Sequence, residues 1–501
     1  MTARSAKQDA EPELRVVAPR SETGDVLARS DVGNGQAFAD EHGSIVRYVS
    51  TWQKWIVWCG SHWRIDDGVS IEALAKKTAR RLLAEAAKTA DTDLFKHAKR
   101  SLGRDRVAAM IAMARSEPGI AIAHEKLDAA PLLFNVLNGT IDLTTGQLRK
   151  HDPQDLLTRV APVNYDAEAT APTFAAFIAR ILDGDEALLH FVHRALGYTL
   201  TGDVGEQCLF FLHGAGANGK STLMRIVLEL FGDYAEQGPP GLLMSKGGDA
   251  HPTEQAALCG RRLVVCQETE QGKRFAETTV KQLTGGDFIM ARRMREDFWK
   301  FAPTHKLWLA GNHKPAIGGT DEGIWRRIKL IPFAVTIPEA ERDPSLIEKL
   351  RAELPGILRW LVEGNALWRA QPLSVDPPTA VCGAVEQYRR EQDIFGDFLA
   401  DCCVLEDGAR ISRRDIRHRY TTWCEDEGAT ALGPKAFADR LRERSCRETT
   451  MREGGAPVRG WLGVRKKIAT DEEDSRSHVA TVDSNSPLTG NLPIHDRANR
   501  N

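Results

Sequence analysis

Residues 208–222 read CLFFLHGAGANGKST, and this stretch constrains the fold of the chain more than any other. The apolar run Cys208 to Leu212 has strand length, and Thr222 to Phe231 has helical periodicity. Between them stands Gly214-Ala215-Gly216-Ala217-Asn218-Gly219-Lys220-Ser221, the phosphate-binding pattern G-x-x-x-x-G-K-[ST] between a strand and a helix. The glycines let the backbone curl so that successive N–H groups face one cavity, where phosphate oxygens replace water. In that arrangement Lys220 reaches the β- and γ-phosphates, and the Ser221 hydroxyl completes a Mg²⁺ shell. The rival reading, a glycine-rich turn with a stray lysine, does not account for the strand before it and the helix after it. Residues 214–222 are therefore expected to bind ATP and Mg²⁺.

Length allows two to four domains in 501 residues. The formal net charge of −2 excludes a uniformly basic nucleic-acid binder, but the average conceals a local excess. From Arg410 to Lys467 there are fifteen Lys or Arg against eight Asp or Glu, or +7. That is a nucleic-acid footprint confined to the C-terminal part, with a solvated helix face as the alternative. The nine cysteines form no C-x-x-C pair and no zinc-spaced Cys/His cluster. Cys208 and Cys266 sit inside apolar runs, as free core thiols do, which points to a reducing compartment. With no signal sequence and no bilayer-length apolar run, a cytoplasmic protein without a membrane partner is expected.

The apolar runs LFFLHG, RLVVCQE, KLWLAGN and KLIPF are short and continuous, the pattern of strands buried on both faces. Helical segments between them predict an α/β core with a largely parallel sheet. The second run ends at Glu268, placed to hold Mg²⁺ or to polarise the attacking water, and Glu270 is near enough to share that work. The third ends at Asn312, whose amide can meet the γ-phosphate without a competing charge. Arg326 and Arg327 enter the fourth and need an anionic partner. A nucleotide on a neighbouring subunit is one such partner, and an intrachain bridge to Asp321 or Glu322 is the other. Between the second and third runs, Arg292, Arg293, Arg295 and Lys300 alternate with Phe298, Trp299 and Phe301. That mixture suits a hairpin that grips a single strand's phosphates and stacks on a base. Asp66-Asp67, in IDDG, reads as a turn rather than a catalytic pair.

Taken together and in order, GAGANGKST, VVCQETE, KQLTGGDFIMARRM, LWLAGNHKP and WRRIKLIPF closely resemble the superfamily 3 helicase domain. More narrowly, they resemble the phage/plasmid primase–helicase family, related to the poxvirus nucleoside triphosphatase–primase. WIVWCGSHW and LLFNVLNGTIDLTTG resemble the domain that precedes the helicase in that family. The resemblance implies an AAA+-like P-loop core, a homo-oligomeric ring (a hexamer), travel along single-stranded or forked DNA, and replication of a phage, plasmid or integrated element in a bacterial host. A separate primase or polymerase is the implied partner, because fewer than forty residues precede the first block and primer synthesis by this chain is not expected.

The expected organisation is a disordered arm over 1–35, an N-terminal α+β domain over 36–168, the P-loop core over 169–345 and a helical lid and linker over 346–375. A winged-helix-like domain over 376–467 and a disordered tail over 468–501 complete it. Helices followed by a short hairpin describe the winged helix, with Arg413, Arg414 and Arg417 at helical spacing to meet DNA phosphates. Two functions share every motif: a ring helicase, and an initiator or regulator that uses ATP to assemble without processive unwinding. A small-molecule kinase needs neither the basic C-terminal block nor the Arg-rich hairpin.

Overall fold

A computed structural model describes residues 29–245, 252–267, 272–292, 298–318, 322–429 and 431–468, in two compact units divided between Glu386 and Gln387. The first unit opens with α1 (Asp31–His42), capped by Ser30, whose hydroxyl accepts the Gly33 amide. The expected arm to residue 35 is thus too long, because Ser30-Asp31 already starts a helix; residues 1–28, and the expected tail from 469, lie outside the described residues.

Strands β1 (Val46–Val49), β2 (Lys54–Trp58), β3 (Trp63–Ile65) and β4 (Ala121–Ile122) form a sheet in the order β3-β2-β1-β4. Helices α2 (Val69–Ala86), α3 (Thr92–Arg100) and α4 (Arg104–Ala114) accompany it, and Phe38, Val46, Ile71, Ala75 and Met110 share one core. Asp66 accepts the amides of Gly68, Ser70 and Ile71, and Asp67 accepts that of Val69, so this acidic pair starts α2 as a turn.

The next sheet, β5 (Leu133–Val136), β6 (Gly139–Asp142) and β7 (Gln147–Arg149), lies within the expected N-terminal span of 36–168. Phe134, Val136 and Ile141 are fully buried in the main core of the P-loop region, not in the N-terminal one. Phe134 stacks on Tyr234 with ring centroids 4.7 Å apart and meets Phe231 edge-on. Composition could not show which neighbour this apolar face would meet.

The α/β core follows: α5 (Pro172–Ile181), α6 (Glu186–Thr199), β8 (Leu209–His213), α7 (Lys220–Phe231), β9 (Ala235–Gln237), α8 (Pro252–Ala256) and β10 (Leu263–Gln267). It continues with α9 (Glu277–Thr284), β11 (Ile289–Ala291), β12 (Trp299–Phe301), β13 (Lys306–Gly311), α10 (Glu322–Trp325) and β14 (Ile328–Pro332). Five parallel strands lie in the order β14-β8-β13-β10-β9, with β11 and β12 standing apart as an antiparallel hairpin. Four of the five are the expected apolar runs. The fifth, β9, carries no such run.

Helices α11 (Leu346–Ala352) and α12 (Leu354–Ala370) are where a lid was expected, yet Ile357, Leu358 and Leu361 are fully buried in the main core. Trp360 stacks on His193 at 3.8 Å, and a Cβ at Gly197 or Gly364 would overlap the backbone of the facing helix. Helix α12 is therefore a wall of the core. Leu373 and Val381 are buried in that core as well, so the proline-rich stretch is not a free linker, and the division falls inside α13 (Thr379–Glu391).

The second unit runs α14 (Ile394–Cys402), β15 (Cys403–Ser412), α15 (Arg413–Asp426), α16 (Pro434–Glu443), β16 (Arg447–Glu453) and β17 (Ala456–Lys466). Its antiparallel sheet has the order β15-β17-β16, and Phe395, Phe398, Tyr420, Phe437 and Trp461 centre its core. Gly454 and Gly455, at φ 55° and 84°, make the two-residue turn of the last hairpin. Among the described residues no helix is long and apolar enough to cross a membrane.

Candidate nucleotide site and nucleic-acid interface

Register explains why distant motifs meet. His213, the last residue of β8, pairs with Gly311 of β13 on one side and with Pro332 of β14 on the other. The residues that follow, Gly214, Asn312 and Phe333, therefore leave the sheet at one edge, at the C-terminal ends of parallel strands where α/β sheets bind ligands. Lys220, the first residue of α7, turns back into this edge. Its Nζ donates to Asn312 Oδ1 at 3.1 Å, to Asn218 Oδ1 at 3.0 Å and to the Gly214 and Ala215 carbonyls at 2.7 and 3.2 Å.

The loop holds its curl through particular contacts. Ala217 (φ 59°) and Gly219 (φ 84°) are left-handed, and a Cβ at Gly219 would strike Ile181 of α5. A Cβ at Gly214 would overlap the Phe333 carbonyl, and the Ile337 amide donates to the Ala217 carbonyl at 2.8 Å. The Asn218 amide donates to the Ala215 carbonyl, closing the loop on itself. Gly216 lies in open space, the Ser221 side chain is exposed, and Thr222 is half-buried. Beside the loop a cavity of about 530 Å³ is lined by Phe177, Ala217, Thr222, Ile337 and Leu346, with the Arg180–Glu341 ion pair (3.0 Å) on its wall.

Lys220 is 5 % exposed, and burial pushes its ammonium down to about 8. Its four hydrogen-bond partners are neutral oxygens, so a buried cation in a curled glycine loop fits an anionic ligand. For Mg²⁺, the exposed Ser221 hydroxyl is the donor the loop offers. Glu268 and Glu270 fall outside the described residues, among which no cluster of three acidic, His or Cys side chains has metal-binding geometry. Gln267, the last residue of β10, pairs with Ala310, so β10 ends at the same sheet edge as the loop.

The two arginines separate. Both precede β14 and so lie at the opposite edge of the sheet, about 17 Å of strand from the phosphate loop. Neither can serve its own loop. Arg327 is buried, its Nε donating to Thr284 Oγ1 at 3.1 Å and its guanidinium to the Gly323 carbonyl. The expectation that Arg327 contacts phosphate is corrected on this ground: its fork is spent on α9 and α10. Arg326 is exposed.

The β11–β12 hairpin also divides by face. Ile289, Ala291, Trp299 and Phe301 are buried, whereas Met290, Lys300, Arg292 and Phe298 are exposed. Met290 faces Lys300 across the ladder, and the Arg292 guanidinium lies 5.0 Å over the Phe298 ring. Trp299 and Phe301, expected to stack on a base, face inward instead, because strand alternation sends them to the opposite side from Lys300. Arg293 and Arg295 lie outside the described residues.

In the second unit, Arg413, Arg414 and Arg417 line a cleft of about 660 Å³ with His418 and Arg459. Among the described residues these four arginines form no ion pair, whereas Arg440 and Arg442 of α16 are paired with acids. Arg417 lies 5.1 Å over the Phe437 ring. Sequence reading missed His418, Arg459, Phe177 and Ile337, whose places in these cavities carry no local pattern.

Comparison with known proteins supplies independent findings. Three family models match: D5 N terminal like at residues 35–183, a family of unknown function at 212–327, and Poxvirus D5 protein-like at 390–477. The chain is 29 % identical over 323 residues to a protein of Acanthamoeba polyphaga mimivirus provisionally named a helicase, covering 59 % of this chain and 33 % of that protein. It is 22 % identical over 421 residues to a protein of Frog virus 3 with the same provisional name, covering 67 % and 42 %. A provisionally named primase of African swine fever virus is 27 % identical over 327 residues, covering 60 % and 34 %. The chain thus spans between a third and about two fifths of the length of these relatives. The apo structure of the NrS-1 C terminal region shares the fold, with a TM-score of 0.51 at 9 % identity over 87 % of this chain and 99 % of that one.

Proposed function

We propose that this chain, which belongs to the D5-like superfamily 3 primase–helicase family, hydrolyses ATP with Mg²⁺ and uses the energy to travel along single-stranded DNA during replication of a mobile element. The observation that carries this reading is the 3.1 Å contact between Lys220 and Asn312, ninety-two positions apart in the chain. The contact brings Lys220 and Asn312 to one sheet edge, which supports reading them as a phosphate-binding cation and a γ-phosphate amide, the pair a hydrolase needs.

In the proposed reaction the loop amides and Lys220 hold the β- and γ-phosphates, and Asn312 orients the γ-phosphate or the attacking water. Ser221, together with Glu268, would hold Mg²⁺, which would supply charge neutralisation at the phosphates. The 530 Å³ cavity beside Thr222 takes the nucleoside. Arg326, exposed and remote from its own loop, serves the next subunit of a ring, which we take to be hexameric. Arg292, Phe298 and Lys300 engage the translocating strand. The element order of the second unit supports a winged-helix reading, in which its arginine cleft takes backbone phosphates of duplex or forked DNA.

The test is ATP turnover together with strand displacement on a forked duplex, for the wild type and for Lys220→Ala. Loss of the loop cation should lower turnover on the order of 10²-fold or more. A folded Lys220→Ala protein with near-normal turnover overturns the nucleotide assignment. A wild type that hydrolyses ATP and binds DNA without separating strands is instead an ATP-switched initiator.

A further inference from the structure

The buried face of the β11–β12 hairpin does not rest on the P-loop sheet alone. His124, just after β4 in the N-terminal domain, bonds through Nε2 to the Lys300 backbone carbonyl at 2.9 Å, across 176 positions. Its ring meets Trp299 edge-on at 5.5 Å, and Trp52, from the β1–β2 turn, meets Trp299 edge-on at 6.3 Å. Trp52 and His124 are themselves 6.0 Å apart, and Thr51 Oγ1 lies 3.3 Å from His124 Nδ1. The Lys300 carbonyl can only accept, so Nε2 carries the N–H in this contact, while Nδ1 also lies 3.2 Å from the Glu125 carboxylate.

The N-terminal domain thus clamps the backbone of the residue whose side chain, on the opposite face, carries the exposed cation. We propose that Trp52 and His124 are positioning residues for the hairpin: the N-terminal domain forms a socket for Trp299 and fixes the reach of Lys300, Phe298 and Arg292 toward the strand. This rests on the reading of the hairpin as a strand-gripping element. It gives the N-terminal domain a mechanical role in coupling, beyond that of a neighbour along the chain. A two-stranded hairpin with three-residue strands is marginal by itself and needs such a support to transmit force. The socket contributes no atom to ATP chemistry, so it acts on coupling alone.

The decisive pair is His124→Leu, which removes the donor, and His124→Gln, whose side-chain N–H can reach the same carbonyl. Three readouts are compared in the full chain: basal ATP turnover, turnover with saturating single-stranded oligonucleotide, and hydrogen exchange of the 288–301 segment. Basal turnover should be retained in both variants. His124→Leu should lower the DNA-stimulated rate by about threefold to tenfold and speed exchange in the hairpin. His124→Gln should restore most of both. Equal loss in the two variants overturns the hydrogen-bonded socket in favour of simple packing, and unchanged exchange in His124→Leu overturns it outright. If the wild type shows no DNA-stimulated turnover, the strand-gripping reading fails, while the exchange comparison still decides whether the socket holds the hairpin.

Discussion

Lys220 carries two features that seldom coexist: it is buried, and its partners are neutral oxygens. Its ammonium, lowered to about 8 by burial, regains its charge preference when a triphosphate arrives, so binding above that pH takes up a proton. Nucleotide affinity should therefore be flat below about pH 7 and weaken above pH 8, approaching tenfold per pH unit. Calorimetric titrations in buffers of different ionisation enthalpy would show the uptake directly. Lys220→Arg, charged throughout, should abolish the slope, and a slope that survives this change belongs to another group. The same scale separates the arginines. Arg327→Ala should cost about 2 kcal/mol or more of folding stability, since it strips partners from buried groups, whereas Arg326→Ala should leave the melting transition unmoved. Equal effects in thermal unfolding would refute this division of labour.

At the scale of elements, the hairpin and the phosphate loop show how one backbone presents two chemistries. Alternation along β12 buries Trp299 and Phe301 and exposes Lys300, so the anchoring and the gripping side chains cannot be exchanged without a register shift. Phe298→Ala combined with Lys300→Ala should leave basal ATP turnover intact and weaken oligonucleotide binding by about 1–3 kcal/mol for the lost stacked base. Fluorescence anisotropy with a labelled oligonucleotide measures this. In the phosphate loop, Gly219→Ala places a Cβ against Ile181 in a left-handed conformation costing about 1–2 kcal/mol. Nucleotide binding should fall accordingly while the protein stays folded by circular dichroism.

For the whole molecule, Arg326 lies at the sheet edge opposite its own loop, which makes an assembly-level prediction possible. Mixing Arg326→Ala with Lys220→Ala subunits creates interfaces in which an intact loop meets an intact arginine. Hydrolysis should reappear in mixed rings although each variant alone is inactive; absence of rescue in rings proven to be mixed would assign Arg326 a role in its own subunit. The second unit has its own aromatic core, so a chain ending after Gln392 should keep basal ATP turnover. Its DNA affinity should lose salt dependence, the slope of log K against log salt falling by about one for each phosphate contact removed.

The phosphate loop, the apolar strands and the order of the motifs were legible in the sequence because each depends on neighbours within a few residues: period, glycine placement and strand length are local properties. The same holds for Ser30 before α1 and for Asp66-Asp67 at the start of α2. Which strands lie side by side is not local. The order β14-β8-β13-β10-β9 brings Asn312 to Lys220, whereas Arg326 and Arg327 stand at the far edge because they precede β14, which runs parallel to β8. Burial likewise needed the fold, since two adjacent arginines of equal charge part company only when one side chain meets Thr284 and Gly323. What covers the strands at 133–149 and helix α12 was not legible for one reason: an apolar face states that it will be covered, and only the tertiary structure decides by what.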